Sequence, residues 1–186
     1  EASLLYGVDP RMVTVTNGSD DGIFLLQRAY CRDKILITHP TFSMYENYAK
    51  SLGLNIVKCS LTKTLDIDMN DVLESIRIHR PCLVFIPNPN SPTGKLLGRE
   101  DIVRILKTGV KVVIDEAYIE FSGVESSIPL LKEFKNLIIL RTLSKFYGCA
   151  GVRIGFVIGH NIDFSTVQSP MPISSLNSYV ALRVLT

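Results

Sequence analysis

The sequence has no long apolar run and no strong excess of either charge. Its 186 residues are 46% hydrophobic, and 20 basic against 18 acidic side chains give a net charge of +2. No run approaches the roughly 20 apolar residues that a membrane helix needs, and no charged-then-apolar signal peptide opens the chain. The mixed charges indicate no basic face for nucleic acid or an anionic membrane, although a small anionic ligand is compatible with them. We therefore expect a soluble, cytoplasmic protein without nucleic-acid or membrane partners.

Cysteine is also scarce. Cys31, Cys59, Cys82 and Cys149 lie far apart, form no CxxC pair and have no spacing that suits zinc. Three of the four lie in or beside apolar runs. We expect reduced thiols in the interior and no metal site.

Apolar runs alternate with amphipathic segments along the chain. Buried strands are predicted at 12–16, 34–38, 54–59, 82–86, 110–114, 136–140 and 154–158, and helices at 19–29, 45–52, 66–78, 99–106 and 174–186. Because the strand cores are apolar on both faces, the pattern predicts an α/β fold, a mostly parallel sheet flanked by helices on both faces. The length suits one domain, 1–186, and there is no internal repeat or linker.

Five polar clusters follow the predicted carboxyl ends of strands. They are Gly18–Asp20, Thr41–Phe42, Asn88–Gly94, Asp115–Tyr118 and Ser144–Lys145. Open α/β sheets bind their ligands at that edge, so these clusters predict a single binding site.

The stretch 141–155 is the most unusual part of the sequence. Lys145 lies near a strand end beside small residues, where desolvation can make an amine available to attack an aldehyde. Thr142, Ser144 and Arg153 supply donors and positive charge for a phosphate. Gly18 and the predicted helix N-terminus after it form a second candidate anion site. On these stretches alone, a solvated lysine in a glycine-rich loop and an ordinary strand-to-helix turn remain open alternatives.

Taken together, these residues suit pyridoxal phosphate. That cofactor requires a lysine, an acid opposite the pyridine nitrogen, a donor to the phenolic oxygen, a ring on its face and a phosphate cup. Asp115 ends a very apolar strand and is predicted to keep a proton on the pyridine nitrogen. The alternative for Asp115, a helix cap or surface carboxylate, fits Glu116 better.

Several motifs resemble those of a known family. Asn88-Pro-Asn-Ser-Pro-Thr-Gly94, Asp115-Glu-Ala-Tyr118, and Thr142-Leu-Ser-Lys145 with Arg153 eight residues on resemble the fold-type I aminotransferases, most closely the histidinol-phosphate aminotransferase group. Thr16–Asp21 and Pro40–Tyr45 are similar to that group's phosphate-loop and ring-stacking segments. The resemblance covers nearly the whole chain, and it is more specific for the cofactor than for the substrate.

The resemblance implies a role for each matching residue. Lys145 would hold the cofactor covalently and move a proton as general base and acid, Asp115 would pair with the pyridinium, and Tyr118 would bond the phenolic oxygen. Relatives usually carry Asn where this chain has Ser91. The shorter Ser91 would bind the phenolic oxygen only weakly, so Tyr118 or Asn90 would take over part of that work. Phe42 would stack on the ring. The phosphate would be bound by residues of three segments, namely Gly18, Ser19, Asp20, Thr142, Ser144 and Arg153.

The resemblance also implies an activity. We expect transamination of a phosphorylated amino compound such as histidinol phosphate with 2-oxoglutarate, in histidine biosynthesis, by a homodimer. The family's chain is much longer, so 1–186 is predicted to be an incomplete large domain without an N-terminal arm or small C-terminal domain. The alternatives are a truncated, inactive fragment that at most binds the cofactor and a related decarboxylase of a phosphorylated amino acid. A nucleotide-binding domain is disfavoured, since no G-x-G-x-x-G or Walker sequence follows a strand.

Overall fold

The computed structural model describes residues 1–185 and contains a seven-stranded sheet flanked by helices. The strands are β1 (Val13–Asn17), β2 (Lys34–His39), β3 (Asn55–Ser60), β4 (Leu83–Pro87), β5 (Lys111–Asp115), β6 (Leu137–Thr142) and β7 (Ile154–Gly159). The helices are α1 (Ala2–Tyr6), α2 (Gly18–Tyr30), α3 (Met44–Ser51), α4 (Met69–His79), α5 (Arg99–Leu106) and α6 (Ser175–Leu185). Short 3₁₀ turns lie at Pro10–Met12, Ile119–Phe121, Ile128–Lys132 and Ala150–Val152.

The sheet order is β1-β7-β6-β5-β4-β2-β3. Strands β2, β3, β4, β5 and β6 run parallel to one another, whereas β7 runs antiparallel to both of its neighbours, β6 and β1. The mostly parallel α/β sheet predicted from the sequence is therefore confirmed. Because β7 is reversed, its first residue lies at the same edge as the last residues of the other strands. Arg153, just before β7, reaches that edge for this reason.

Alternate strand residues build two separate cores. One face of the sheet, including Val84, Val112 and Ile139, packs with residues of α4, α5 and α6. The other face, including Phe85, Val113 and Leu140, packs with residues of α2 and α3. This alternation follows from the two-residue period of a β-strand. It places consecutive residues such as Asp115 and Glu116 on opposite sides of the sheet.

Glycines allow α2 to lie directly on β7. A Cβ at Gly155 would overlap the backbone of Gly18 and Ser19, and a Cβ at Gly22 would lie 2.9 Å from Val157 Cγ2. The N-terminus of α2 is thereby held against the sheet edge, which is the local condition for the site described below.

The helix starts differ slightly from those predicted. Helix α4 begins at Met69 rather than Asp66, because the Asp68 side chain accepts hydrogen bonds from the N–H groups of Asn70 and Asp71. Helix α2 begins at Gly18, one residue before the predicted helix start at Ser19. The predicted final helix is present as α6, and its last predicted residue, Thr186, lies outside the described residues.

Two further predictions concern the burial of the cysteines and the absence of membrane-spanning helices. All four cysteines are free, with Cys31 and Cys59 buried and Cys82 and Cys149 only half-buried, so the prediction of interior thiols is correct for two of them. Within residues 1–185, no helix combines the length and apolarity needed to cross a bilayer.

Candidate active site

One cleft at the carboxyl edge of the sheet is lined by residues of all five polar segments. Its lining comes from the α2 N-terminus, the loop before α3, the loops after β4, β5 and β6, and the residue before β7. The lining residues are Ser19, Asp20, Phe42, Tyr45, Pro87, Pro89, Ser91, Asp115, Ala117, Tyr118, Ser144, Lys145 and Arg153. The predicted convergence of these segments on one site is thus observed.

One end of the cleft combines a helix N-terminus with an arginine. Gly18 has φ +79°, and a Cβ there would overlap the guanidinium of Arg153. The first N–H groups of α2 have no intrahelical partner, and the helix dipole adds positive potential. Because Gly18 lacks a side chain, Arg153 lies directly against this N-terminus, which is a suitable arrangement for a phosphate.

Arg153 ties three segments together at this end. Its Nη1 donates to Ser144 Oγ at 3.3 Å and to the Ala150 carbonyl at 3.2 Å, and its Nη2 donates to Asp20 Oδ2 at 3.3 Å. The ion pair with Asp20 is about 40% exposed on each side, so it is screened by water. Arg153 therefore remains available to an anion while holding Ser144 close to α2.

Thr142 does not line the cleft, contrary to its predicted role as a phosphate ligand. Its buried hydroxyl donates to the Ile154 carbonyl at 3.2 Å and accepts the Ser144 N–H at 3.1 Å. Because the hydroxyl is already bonded on both sides, Thr142 fixes the backbone at Ser144.

Asp115 forms the polar floor of the cleft. It is 6% exposed, and its carboxylate accepts the Tyr45 hydroxyl at 2.7 Å and the Ala117 N–H at 3.0 Å. Burial raises the pKa of Asp115 to about 6, although the Tyr45 and Ala117 hydrogen bonds oppose the rise and favour the ionised form. A buried carboxylate of this kind can pair with a ligand cation.

Lys145 lies on the wall of the cleft with an exposed side chain, so the desolvation expected from the sequence is not found. Its Nζ lies 5.1 Å from the centroid of the Tyr118 ring, over the ring face. The described residues give Nζ no carboxylate within ion-pair distance. The amine is therefore accessible from the cleft and held near Tyr118 by a cation–π contact.

The loop after β4 presents Ser91 rather than Asn90. Asn90 is buried, donates to the Pro40 carbonyl and Thr93 Oγ1, and accepts from Thr41 Oγ1, so its side chain is used within the loop. The predicted role of Asn90 as a cofactor ligand therefore has no support in the geometry. Ser91 lines the cleft, as does the ring of Phe42.

Glu116 is a buried ion-pair partner and not the surface carboxylate or helix cap expected from the sequence. It is fully buried, accepts from Arg141 Nη1 at 2.9 Å, and also accepts from Ser126 Oγ and the Ser127 N–H, each at 2.6 Å. Arg141 Nη2 additionally donates to Glu120 at 2.6 Å. Strand alternation explains the difference, because Glu116 faces the side of the sheet opposite to Asp115.

Tyr45 is a site residue that sequence reasoning missed. The helical spacing of Tyr45, Tyr48 and Ala49 places Tyr45 on the apolar face of α3, which is correct, since it is fully buried against Phe85. Nothing in the pattern shows that its hydroxyl reaches a carboxylate 70 residues later in the chain. That contact depends on the sheet bringing β5 beside α3.

The geometry defines a class of protein. An accessible lysine amine, a buried acid and an arginine beside a glycine-opened helix N-terminus, on the edge of a mostly parallel sheet, form the donor set that pyridoxal phosphate needs. The comparison with known families agrees: the chain belongs to the family described as aminotransferase class I and II, whose model matches residues 3–185. Pyridoxal phosphate is the cofactor of this family.

Two individual relatives match this chain over its full length. The histidinol-phosphate aminotransferase of Thermoanaerobacter pseudethanolicus is 41% identical over 191 residues, covering 100% of this chain and 54% of the relative. The crystal structure of the Clostridium acetobutylicum histidinol-phosphate aminotransferase matches with a TM-score of 0.91 and 29% identity, over 100% of this chain and 57% of that one. The chain thus spans about half the length of the curated relatives it matches.

A more distant structure shows the fold together with its ligand. The Sinorhizobium meliloti histidinol-phosphate aminotransferase, solved in complex with pyridoxal-5′-phosphate, has a TM-score of 0.89 at 21% identity and covers 99% of this chain and 52% of that one. At this identity the match shows a shared fold.

Proposed function

We propose that this chain is the cofactor-binding large domain of an aminotransferase that acts on histidinol phosphate, with 2-oxoglutarate as the acceptor. The observation that carries the proposal is the convergence of Lys145, Asp115 and Arg153 in one cleft. The relatives named above support the choice of substrate. When bound, pyridoxal phosphate supplies an electron sink that stabilises negative charge at the substrate carbon next to the amine.

The phosphate of the cofactor would bind at the α2 end of the cleft. The N–H groups of Gly18, Ser19 and Asp20 offer donors there, and Arg153 and Ser144 add charge and a hydroxyl. The Arg153–Asp20 pair is long, at 3.3 Å, and partly exposed, so an anion can compete for the guanidinium.

Asp115 and Tyr118 would fix the orientation of the cofactor ring. Asp115, at the floor of the cleft, would accept a hydrogen bond from the protonated ring nitrogen. Tyr118, on the wall, would donate a hydrogen bond to the phenolic oxygen, and Ser91 lines the same space. Phe42 would cover one face of the ring. These contacts would hold the ring in the same cleft as the Lys145 amine.

Lys145 would have two roles. Its exposed amine is accessible for covalent attachment of the cofactor. With substrate bound, the same Nζ would act as general base and acid, taking up the proton of the substrate carbon and holding it for return. In this structure Nζ lies 5.1 Å from the centroid of the Tyr118 ring, on the wall of the cleft.

We further propose that residues 1–186 act as one incomplete large domain in a cytoplasmic homodimer. The chain spans 54% of the length of the Thermoanaerobacter pseudethanolicus relative, in line with part of a longer enzyme. A binding-only fragment and a decarboxylase of a phosphorylated amino acid are the competing functions.

One assay separates these functions. The cofactor-loaded chain is incubated with histidinol phosphate and 2-oxoglutarate, and separately with L-threonine O-phosphate, while glutamate and carbon dioxide are measured. Glutamate formation that requires histidinol phosphate supports the proposal. Carbon dioxide release from the phosphorylated amino acid would identify a decarboxylase, and loaded protein that forms neither product would identify a binding-only chain.

A further inference from the structure

Tyr45 has a buried hydroxyl with a single described acceptor, the acid at the floor of the cleft. Its Oη donates to Asp115 Oδ2 at 2.7 Å, and the residue is 0% exposed. In a water-excluded site such a hydrogen bond to a carboxylate is strong, because neither partner has solvent as an alternative.

Packing fixes the position of that hydroxyl. The Tyr45 ring stacks on Phe85 with centroids 5.1 Å apart and meets the edge of Phe42 at 5.7 Å. The fully buried side chain of Gln27 donates to the Tyr45 carbonyl at 2.9 Å and so ties the first turn of α3 to α2. Tyr45 is therefore held by three elements and cannot turn its hydroxyl elsewhere without disturbing the core.

The two hydrogen bonds to Asp115 determine what else it can bind. A carboxylate has about four acceptor positions, and here one on each oxygen is used, by Tyr45 and by the Ala117 N–H. Tyr45 and the Ala117 N–H both donate to the carboxylate. The lone pairs of Asp115 that remain toward the cleft can therefore only accept a hydrogen bond while the carboxylate is ionised. A ligand atom that meets Asp115 must bring its own proton.

We propose that Tyr45 is a positioning residue that keeps Asp115 an ionised acceptor, so that the shared proton lies on the ring nitrogen of the ligand and not on the carboxylate. This inference rests on the proposed role of Asp115 in cofactor binding. Tyr45 does not touch the reacting atoms and acts only through Asp115.

Other charged groups also act on Asp115, and the test must separate them from Tyr45. Asp20 from α2 and Glu116 at the end of β5 both raise its pKa, whereas the Tyr45 and Ala117 hydrogen bonds lower it. Tyr118, Lys145 and Arg153 face the same cleft. None of these groups is altered by replacing Tyr45 with Phe, which removes only the hydroxyl.

The first experiment uses the ligand-free 186-residue chain with ¹³C-labelled aspartate. The side-chain carboxyl of Asp115, assigned by its loss in Asp115→Asn, is titrated by NMR in wild type, Tyr45→Phe and the matched control Tyr48→Phe. Tyr48 lies three residues further along α3 and borders Asp20 and Arg153, but it is not a described hydrogen-bond partner of Asp115. We expect a midpoint near 6 in wild type and Tyr48→Phe. In Tyr45→Phe we expect it about one unit higher, roughly a tenfold change in proton affinity. An unchanged midpoint in Tyr45→Phe would overturn the inference.

A wild-type measurement covers the case in which Tyr45→Phe does not fold. The ¹³C shift of Tyr45 Cζ should follow the Asp115 titration with the same midpoint, because the hydroxyl loses an ionised acceptor when the carboxyl is protonated. A Tyr45 signal that stays constant while Asp115 titrates would contradict the coupling.

The second experiment tests the link to the ligand. Pyridoxine 5′-phosphate labelled with ¹⁵N in the ring is bound to each variant, and the ring nitrogen shift is recorded. We expect a protonated nitrogen in wild type and Tyr48→Phe, and a shift toward the unprotonated value in Tyr45→Phe. The same shift in all three proteins would overturn the inference. Failure of wild type to bind this probe would count against the proposed function, while the ligand-free titration would still decide the role of Tyr45.

Discussion

Gly18 lies where any side chain would compete with Arg153 for space. We predict that Gly18→Ala lowers affinity for pyridoxine 5′-phosphate about tenfold or more, because the new Cβ overlaps the guanidinium and forces it away from the α2 N-terminus. Isothermal titration calorimetry measures this. Gly53→Ala is the matched control, since Gly53 has a similar φ of +69° but no atom within 4 Å of an added Cβ.

Both substitutions should cost about 1–2 kcal/mol of stability through the left-handed backbone. Only Gly18→Ala should also change affinity. Equal affinities in the two variants would show that the phosphate does not bind at this end of the cleft.

Asp115 makes the stability of the ligand-free chain depend on pH. Its pKa is raised from 3.8 to about 6, so the folded state binds a proton more tightly than the unfolded state. Proton binding at Asp115 therefore stabilises the fold at low pH, and this contribution is lost as pH rises from about 4 to about 6. Asn cannot ionise. We therefore predict that the free energy of unfolding of Asp115→Asn, relative to wild type, increases by up to about 3 kcal/mol between pH 4 and pH 7.

Urea denaturation of both proteins at several pH values tests this prediction. The absolute difference at any one pH also contains the altered hydrogen bonds to Tyr45 and Ala117, so the slope is the informative quantity. A difference that is flat across this range would mean that Asp115 titrates normally in the folded chain.

At the scale of elements, the buried pair Glu116–Arg141 connects the loop after β5 to β6. Arg141 also lies 5.0 Å from the centroid of the Tyr6 ring in α1. We predict that Arg141→Met destabilises the fold by about 3–5 kcal/mol, because it leaves the buried Glu116 carboxylate without its cation. Glu116→Gln should cost less, because Arg141 keeps its ion pair with Glu120. The double variant should cost clearly less than the sum of the two.

A double-mutant cycle from urea denaturation measures this coupling. The exposed pair Arg77–Glu74 on α4 is a suitable reference, for which we expect little coupling. Additive effects of Glu116→Gln and Arg141→Met would contradict a direct interaction.

The elements themselves are largely predictable from the sequence, and the site only partly. Continuous apolar runs such as 136–140 and 154–158 predict buried strands, but they do not show the direction of β7. Arg153 reaches the ligand edge because β7 runs antiparallel to β6. The positions of the motifs after successive strands predict that Lys145, Asp115 and Ser91 lie in one cleft. It does not show that Asn90 and Thr142 use their side chains within their own loops. Those contacts arise from loop conformation, to which hydrophobic periodicity is insensitive.

The Asp115–Glu116 pair illustrates the same limit. Two adjacent acids look equivalent in sequence, and only the alternation of β5 assigns one to the cleft and the other to Arg141. The hydroxyl of Tyr45 is similar, since its apolar position in α3 is readable while its acceptor on β5 is not.

At the scale of the whole molecule, cofactor binding should stabilise the fold. A ligand that binds only the folded state at 100 times its Kd adds about 2.7 kcal/mol, and for a chain of this size each kcal/mol raises Tm by roughly 2–4 °C. We predict such a rise with pyridoxal phosphate in wild type and a smaller rise in Lys145→Ala, which keeps the phosphate site but loses the covalent bond. Differential scanning calorimetry measures both. Lys63→Ala, at another exposed lysine, should behave as wild type. Identical shifts in Lys145→Ala and wild type would argue against attachment at Lys145.

The most direct test of the proposed cofactor site is to find which lysine the cofactor attaches to. The chain is mixed with pyridoxal phosphate, reduced with borohydride, digested and mapped by mass spectrometry, with Lys145→Ala and Lys63→Ala in parallel. We expect one dominant modified peptide containing Lys145 in wild type and Lys63→Ala, and loss of specific labelling in Lys145→Ala. Labelling spread over surface lysines, or a stable specific adduct in Lys145→Ala, would contradict the assignment of this cleft as the cofactor site.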